Sequence, residues 1–204
     1  MFALVESGTI TQFPKGNKGI TLGDNKYPQT VYTLWTEAER NAIGIYTVEI
    51  DSTNRKDEEF YVNTNITYAF GSGKVTGSYG TATAKRLNDE NAVDGDGDPI
   101  LDADGVQVVN YGLKTNYKNK FNAQAKGLLE KTDWYVIKAT DVESYSVPSN
   151  ITTYRAAVRT KVNAMETSID GCSDVDALIT LLTYTTDSEG VQSRPLGEFP
   201  DEVV

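Results

Sequence analysis

The chain has 204 residues, 39% hydrophobic and 24% charged, which is enough apolar content for one large or two small folded domains. A formal net charge of −10 repels phosphate backbones, so we expect no nucleic-acid partner. No apolar run approaches the roughly 18 residues that span a bilayer, and MFALVESG at the start has no basic region. Neither a membrane partner nor a secretory signal is predicted. The closest feature to a basic face is a row of five lysines, which we interpret as the solvated side of one predicted helix. They are Lys114, Lys118, Lys120, Lys126 and Lys131.

Catalytic and metal-binding side chains are scarce. The sequence has no histidine and one cysteine, Cys172, so the usual zinc ligand sets and the commonest general base are missing. We interpret Cys172, which follows Gly171 at a predicted helix end, as a small buried side chain rather than a nucleophile. We therefore predict that the protein is not an enzyme and needs no cofactor. A carboxylate-dependent hydrolase of surface glycans stays an alternative, although no pair of acids stands in a recognisable frame.

The N-terminal part is rich in turn and strand signals. FALVESGTITQF contains two β-prone runs around Ser7-Gly8, which predicts a hairpin. Thr36 and Glu39 form a capping box, so a short helix should run from Glu37 to about Ala42 and stop at Gly44. Strand character resumes after it.

A second hairpin is predicted at residues 60–84. In FYVNTNITYAF the apolar side chains fall on even positions from Phe60 to Phe70, which is the period of a single strand. GSG at 71–73 turns the chain, and KVTGSYGTATA returns with Val75 and Tyr79 on one face. No internal repeat is apparent along the chain.

An acidic segment follows, and it allows two interpretations. Asp94, Asp96 and Asp98 match the opening of a calcium-binding loop. Pro99 stands where that loop needs glycine, and Gly105 stands where a bidentate glutamate should close the site. PILDADGVQVV favours two short strands around its Asp-Gly pair instead. The acidic loop with a hairpin is the favoured interpretation, and calcium is the alternative.

The C-terminal part changes to a helical period. Two long amphipathic helices are predicted, at residues 113–131 and 150–170, followed by a shorter one that Ser173 caps. Their apolar stripes are Leu113, Tyr117, Phe121, Ala125 and Leu128, then Ile151, Tyr154, Val158, Val162, Met165 and Ile169. The sequence therefore predicts an α+β protein: a β-hairpin-rich domain with one short helix at 1–110, and a helical domain at 111–204 with a loosely held C-terminal tail.

The segment LLEKTDWYVIK, residues 128–138, joins the two long helices. We expect Thr132 and Asp133 to hydrogen-bond the backbone where the first helix frays. Trp134 and Val136 would then fold back over the open end of the helix pair and bury apolar area. On this prediction the segment is a packed connection, and a partner-binding role for Trp134 is the alternative.

The same segment carries a family resemblance. LLEKTDW followed by VPSNITTYRAAVR resembles the C-terminal signature of tail fibre assembly proteins and related tail proteins of tailed bacteriophages. LWTEAERNAIGIYTV at residues 34–48 and SRPLGEFP at 193–200 are similar to further segments of that family, so that three patches cover about half the chain. The matching signature includes Trp134, Tyr154, Arg155 and Arg159, as partner-binding or helical-core residues.

The resemblance implies a chaperone without a cofactor. Such a protein binds the C-terminal part of a phage tail fibre polypeptide and promotes its folding or trimerisation, in the host cytoplasm during phage assembly. The 12 Tyr and 2 Trp residues would supply aromatic anchors for that contact. The alternative is a permanent virion tail component, such as a fibre-tip, adaptor or receptor-binding subunit.

Overall fold

The structure is a computed structural model that describes residues 1–203, so Val204 lies outside the described part of the chain. Most strands lie in the N-terminal part and the longer helices in the C-terminal part, which confirms the predicted α+β class. The chain divides into two compact units, one from Met1 to Thr83 and one from Ala84 onward. The division thus falls earlier than the expected boundary at residue 110, and residues 84–110 belong with the helices.

The elements have the following bounds. The helices are α1 (Glu37–Ala42), α2 (Leu113–Glu130), α3 (Asp133–Asp141), α4 (Ser149–Asp170) and α5 (Val175–Leu182), with a 3-10 turn at Gln29–Tyr32. The strands are β1 (Phe2–Glu6), β2 (Thr9–Gln12), β3 (Ile20–Leu22), β4 (Asn25–Tyr27), β5 (Ile45–Asp51), β6 (Tyr61–Val62), β7 (Thr67–Gly71), β8 (Lys74–Ser78), β9 (Thr83–Ala84), β10 (Glu90–Asn91), β11 (Val109–Asn110), β12 (Thr185–Thr186) and β13 (Gln192–Ser193).

A five-stranded sheet forms the centre of the first unit. Its strand order is β2-β1-β5-β8-β7, with β5 and β8 parallel and the other neighbours antiparallel. One cluster of buried side chains contains Ala3, Val48 and Val75, and a second contains Leu4 and Ile45. Because successive side chains of a strand point to opposite faces, Ala3 and Leu4 place the two clusters on opposite faces of the sheet.

The local signals of the first unit produce the predicted turns and cap. Ser7 and Gly8 both have positive φ, 52° and 79°, as do Ser72 (52°) and Gly73 (74°). A two-residue turn with positive φ at both positions fits the right-handed twist of the strands that it joins. The hairpins at these two turns, β1 with β2 and β7 with β8, are confirmed. The capping box of α1 is also confirmed: its threonine hydroxyl accepts from the backbone of Glu39, whose carboxylate accepts from the threonine backbone at 2.7 Å.

The single strand predicted from Phe60 to Phe70 is wrong. The structure has β6 at its start and β7 at its end, with an irregular segment between them. Asn63 accounts for the interruption, because its side chain accepts from the backbone N–H of Lys56 and donates to the Lys56 carbonyl, both at 2.8 Å. These two bonds hold the segment against residues 52–59 instead of a neighbouring strand.

The second unit is built on α2 and α4. Both long helices are confirmed to within a residue or two of their predicted ends. Phe121, Tyr154, Val158 and Met165 are buried as predicted, whereas Leu128 is half-buried. The cap predicted for α5 is off by one residue: Asp174 caps the helix, and the hydroxyl of Ser173 donates to the Asp174 carboxylate at 2.9 Å. Aspartate and serine are comparable N-cap residues, and the negative charge of the aspartate additionally complements the helix dipole.

Backbone hydrogen bonds attach residues 84–110 to α2. The N–H groups of Leu113 and Lys114 donate to the carbonyls of Arg86 and Leu87, at 2.9 and 3.0 Å. The Gly112 N–H donates to the carboxylate of Asp89 at 2.8 Å. The first turn of α2 therefore uses this segment to satisfy N–H groups that lack partners within the helix, which explains the early division of the chain.

Residues 90–110 close into a small three-sided β arrangement. Ala92 donates its N–H to the carbonyl of Val108, Val108 to that of Ile100, and Ile100 to that of Ala92, at 2.8 to 3.0 Å. The side-chain amide of Gln107 lies among the same three carbonyls, with nitrogen–oxygen distances of 2.7, 3.1 and 3.1 Å. To bring Ala92, Ile100 and Val108 together in this way, the chain must turn twice, at residues 94–98 and 102–106.

One five-residue loop occurs three times, a repeat that the sequence analysis missed. In each loop the first aspartate accepts from the backbone N–H groups two and four residues on, at 2.9 to 3.0 Å. The fourth residue is always a glycine with φ between 78° and 90°. The pattern Asp-x-Asp/Glu-Gly-x was the available signal, and its copies are Asp94–Asp98, Asp102–Val106 and Asp187–Val191.

The C-terminal tail, expected to be loosely held, packs on the helices. Leu196 is 3% exposed, and its N–H donates to the Leu181 carbonyl at 3.1 Å. The ammonium of Lys161 donates to the Leu196 carbonyl at 2.8 Å. Lys131 pairs with Glu202 at 2.7 Å, so contacts continue almost to the last described residue.

Candidate functional site

Arg155 joins the end of α2 to the start of α3. It lies on α4 with 9% of its surface exposed. Its Nη1 donates to the Leu129 carbonyl at 2.8 Å and to the Thr132 hydroxyl at 2.7 Å, and it pairs with the Asp133 carboxylate at 2.8 Å. Thr132, which is 3% exposed, itself donates to the Leu129 carbonyl at 2.9 Å. The expected hydrogen bond from Thr132 is thus confirmed, and Asp133 binds an arginine instead of the backbone.

These residues fix the chain direction after α2. The Leu129 carbonyl, near the C-terminal end of α2, accepts from the Thr132 backbone and hydroxyl and from Arg155, at a position where the helix dipole also favours a cation. Asp133 opens α3, and an acid in the first turn stabilises a helix. The Asp133–Arg155 pair was not predicted from the sequence, although an acid in one signature patch and a base in the other were the available signal.

The prediction that Trp134 packs over the helix ends is wrong. The segment forms the helix α3, and Trp134 and Val136 are 56% and 40% exposed. Tyr135, Lys138 and Ala139, spaced by three and four residues, are the half-buried side of this helix. Because each helical residue is rotated by about 100° from the last, Tyr135 on the half-buried side leaves Trp134 and Val136 at the two flanks of α3 and Ile137 nearly opposite.

The outward side of α3 forms an exposed apolar surface, here called the α3 face and defined as Trp134, Val136 and Ile137. Ile137 is 60% exposed, and α3 has no buried residue among its nine. The ammonium of Lys138 lies 4.9 Å from the centroid of the Trp134 ring and 4.4 Å from that of Tyr145. These cation–π contacts restrict the Trp134 ring on the surface, and each contributes about 0.5–1 kcal/mol at an exposed site.

Acidic groups adjoin the α3 face. Asp141 and Glu143 are exposed, and neither makes an ion pair within residues 1–203. The Asp133 carboxylate is neutralised by its arginine partner. The surface therefore combines an aromatic and aliphatic patch, with the Lys138 ammonium beside Trp134, and two acids without an ion-pair partner in the described residues at the C-terminal end of α3.

The four signature residues separate into two pairs. Tyr154 and Arg155 are helical-core residues, with 5% and 9% of their surface exposed. Trp134 and Arg159 are exposed and lie outside the core. Burial first, and then the Glu202 carboxylate, raises the pKa of Tyr154. Its buried hydroxyl has no hydrogen-bond partner among the described residues.

A shallow groove of about 400 Å³ lies between α2 and α4, where the arginine network begins. Ala125, Leu129 and Val162 supply apolar lining, and Asp133 and Arg155 bound it on the α3 side. The groove is an apolar recess wide enough for one side chain.

The acidic segment is not arranged as a set of metal ligands. Asp94 Oδ1 accepts two backbone hydrogen bonds of its own loop, from Asp96 and Asp98. In residues 1–203 no group of three or more Asp, Glu, Cys or His side chains is placed to hold a metal ion. Cys172 is buried, as interpreted from the sequence, and burial raises the pKa of its thiol.

Comparisons with known proteins assign no family to the chain. No protein-family model, no curated protein and no solved structure matches it significantly. Over the described residues, no helix combines the length and apolar character needed to cross a membrane.

Proposed function

We propose that this protein is a tail fibre assembly chaperone of a tailed bacteriophage, which binds the C-terminal part of a fibre polypeptide through the α3 face. The observation that carries the proposal is that α3 exposes Trp134 and Ile137 and has no buried residue. The resemblance of the flanking segments to tail fibre assembly proteins supplies the identity of the partner.

A helix of nine residues needs packing to be stable in water. Inside the unit α3 is held by the Asp133–Arg155 pair and by its half-buried side, which leaves the opposite side open. A fibre segment that covered Trp134 would remove about 100 Å² of apolar surface from water, worth about 2.5 kcal/mol. Large aromatic side chains of this kind dominate the energetics of protein interfaces.

The charge of the protein favours a neutral or basic fibre surface. The net charge is −10, and Asp141 and Glu143 next to the α3 face lack ion-pair partners within the described part of the chain. Opposite charges would steer the fibre segment to this surface and accelerate association. Binding should consequently weaken as salt concentration rises, because screening shortens the range of the attraction.

The signature residues have a common role in this proposal. Leu129, Thr132 and Arg155 hold the start of α3 in place, and Trp134 is the residue that they present. A rigid support reduces the entropy lost on binding, since the contact surface is already ordered.

Co-expression with the C-terminal fragment of a fibre encoded by a neighbouring gene tests the proposal. The fragment should become soluble and trimeric only when this protein is present. Changing Trp134→Ser together with Ile137→Ser should abolish that effect. Val62→Ser is the control, because Val62 is 58% exposed, lies in the other unit and stands outside the segments that carry the resemblance. Equal fibre solubility with and without the protein, and no complex in either case, would refute the proposal.

The cellular location follows from the same proposal. On this proposal the protein acts in the host cytoplasm during assembly and is released from the fibre, and retention in the virion tail is the alternative. Mass spectrometry of purified particles should then find the protein absent or far below the fibre in amount. Stoichiometric presence would favour the alternative of a permanent fibre-tip, adaptor or receptor-binding subunit.

A further inference from the structure

The connection between β2 and β3 borders a cavity in the first unit that is open to solvent on one side. Its volume is about 440 Å³, and its lining consists of residues 12–20 together with Tyr32. A cavity of this size accommodates a small organic ligand. None of the lining residues is an aspartate or a glutamate, although the whole chain has 29 acids against 19 bases.

The loop that forms the cavity is held by close backbone contacts. Gly16 has a φ of +71°, and a Cβ at this position would lie 3.4 Å from the ring of Phe2 and 3.6 Å from that of Tyr32. The two rings pack on each other with centroids 5.0 Å apart. A Cβ at Gly19 would collide with the carbonyl of Tyr27. Glycine is therefore required at position 16 by the positive φ and at position 19 by the close approach to the Tyr27 backbone, and the two together fix the shape of the loop.

The same loop concentrates hydrogen-bond donors that have no internal acceptor. Lys15 and Lys18 are exposed and make no ion pair among residues 1–203. The backbone N–H groups from Lys15 to Lys18 likewise donate no hydrogen bond within the described chain. Consecutive backbone N–H groups without internal acceptors, with ammonium groups beside them, are a donor set suited to an anion.

We propose that this cavity binds the oxyanion group of a small ligand, a carboxylate or a phosphate. The ammonium groups of Lys15 and Lys18 neutralise the anion, and the loop N–H groups donate hydrogen bonds to its oxygens. The ring of Tyr32 forms an apolar wall, on which the carbon skeleton attached to the oxyanion rests. This site lies in the first unit and does not depend on the chaperone proposal.

Titration with inorganic phosphate, glucuronate and neutral glucose at constant ionic strength tests the site and separates the two sources of the oxyanion. Backbone amide NMR signals of residues 15–19 should shift and saturate with phosphate, glucuronate or both. The anion that binds more tightly identifies the group. Neutral glucose should leave these signals in place, and an equal shift with glucose would overturn the proposal.

A matched pair of variants separates site binding from the effect of net charge. The double change Lys15→Ala and Lys18→Ala should weaken anion binding at least tenfold. The control Lys120→Ala with Lys126→Ala removes the same charge from the helical unit and should leave the affinity unchanged. Unsaturable shifts spread over the surface, or equal binding by both double variants, would refute the site. Fibre solubilisation is measured separately, and it should be unaffected by either change.

Discussion

Replacement of Arg155 by methionine should destabilise the helical unit by about 3 kcal/mol. Arg155 has three acceptors within 2.8 Å of its Nη1. Loss of the bond to Thr132, which is 3% exposed, should cost about 2 kcal/mol. The Leu129 carbonyl keeps two donors from Thr132, so its share should be about 1 kcal/mol. The Asp133 carboxylate is 46% exposed and adds little, because water replaces its partner.

Urea unfolding followed by circular dichroism at the helical band measures this effect, since most helical residues lie in the second unit. With an m-value of about 2 kcal/mol/M, the midpoint of Arg155→Met should fall by about 1.5 M. Arg159→Met is the control, because Arg159 is exposed on the same helix and forms no ion pair in the described residues. Its free energy of unfolding should stay within about 0.5 kcal/mol of the parent, which is a midpoint change of at most about 0.25 M. Equal midpoints for the two variants would refute the argument from the arginine network.

Three further predictions concern stability. Trp134→Ala should change the free energy of unfolding by less than about 1 kcal/mol, because the side chain is 56% exposed; a loss of about 3 kcal/mol or more in urea unfolding would restore the packing role. EDTA should leave the Tm unchanged, because Asp94 already binds its own loop; a calcium-dependent rise of several degrees would contradict this. Hydrogen bonds from the Ala177 N–H and then the Ser173 hydroxyl lower the pKa of Asp174. Its stabilising contribution is therefore present above the ordinary carboxyl pKa and is lost as pH falls through the lowered pKa of the folded state. Asp174→Asn should keep the N-cap hydrogen bond, but its free energy of unfolding should depend less on pH in that acid range. An unchanged pH dependence in urea titrations would refute this role of the Asp174 carboxylate.

Local signals predicted the parts of the fold that local chemistry determines. The capping box of α1, the two hairpin turns and the periods of α2 and α4 all depend on residues within a few positions of each other. The parallel pairing of β5 with β8 joins distant segments, and no single window of sequence contains it. The strand predicted from Phe60 to Phe70 failed for a similar reason, because Asn63 binds the backbone of a residue outside the strand pattern.

The candidate site was predictable only in part. The β-branched residues Val136 and Ile137 disfavour a helix by intrinsic propensity, and the half-buried side at Tyr135 overrides that preference. Arg155 lies 23 residues after Thr132, so their hydrogen bond has no periodic signal. The resemblance indicated that Thr132, Trp134 and Arg155 belong to one signature. It could not indicate that Thr132 and Arg155 are buried supports while Trp134 is exposed.

The most direct test of the chaperone proposal is the solvent access of Trp134 in the presence of the fibre fragment. Trp35→Phe leaves Trp134 as the single tryptophan of the chain. Its 56% exposure predicts efficient acrylamide quenching in the free protein. Binding of the fibre fragment should blue-shift the emission and reduce the quenching several-fold. A stable complex in which emission and quenching stay at the values of the free protein would contradict the claim that the α3 face binds the fibre.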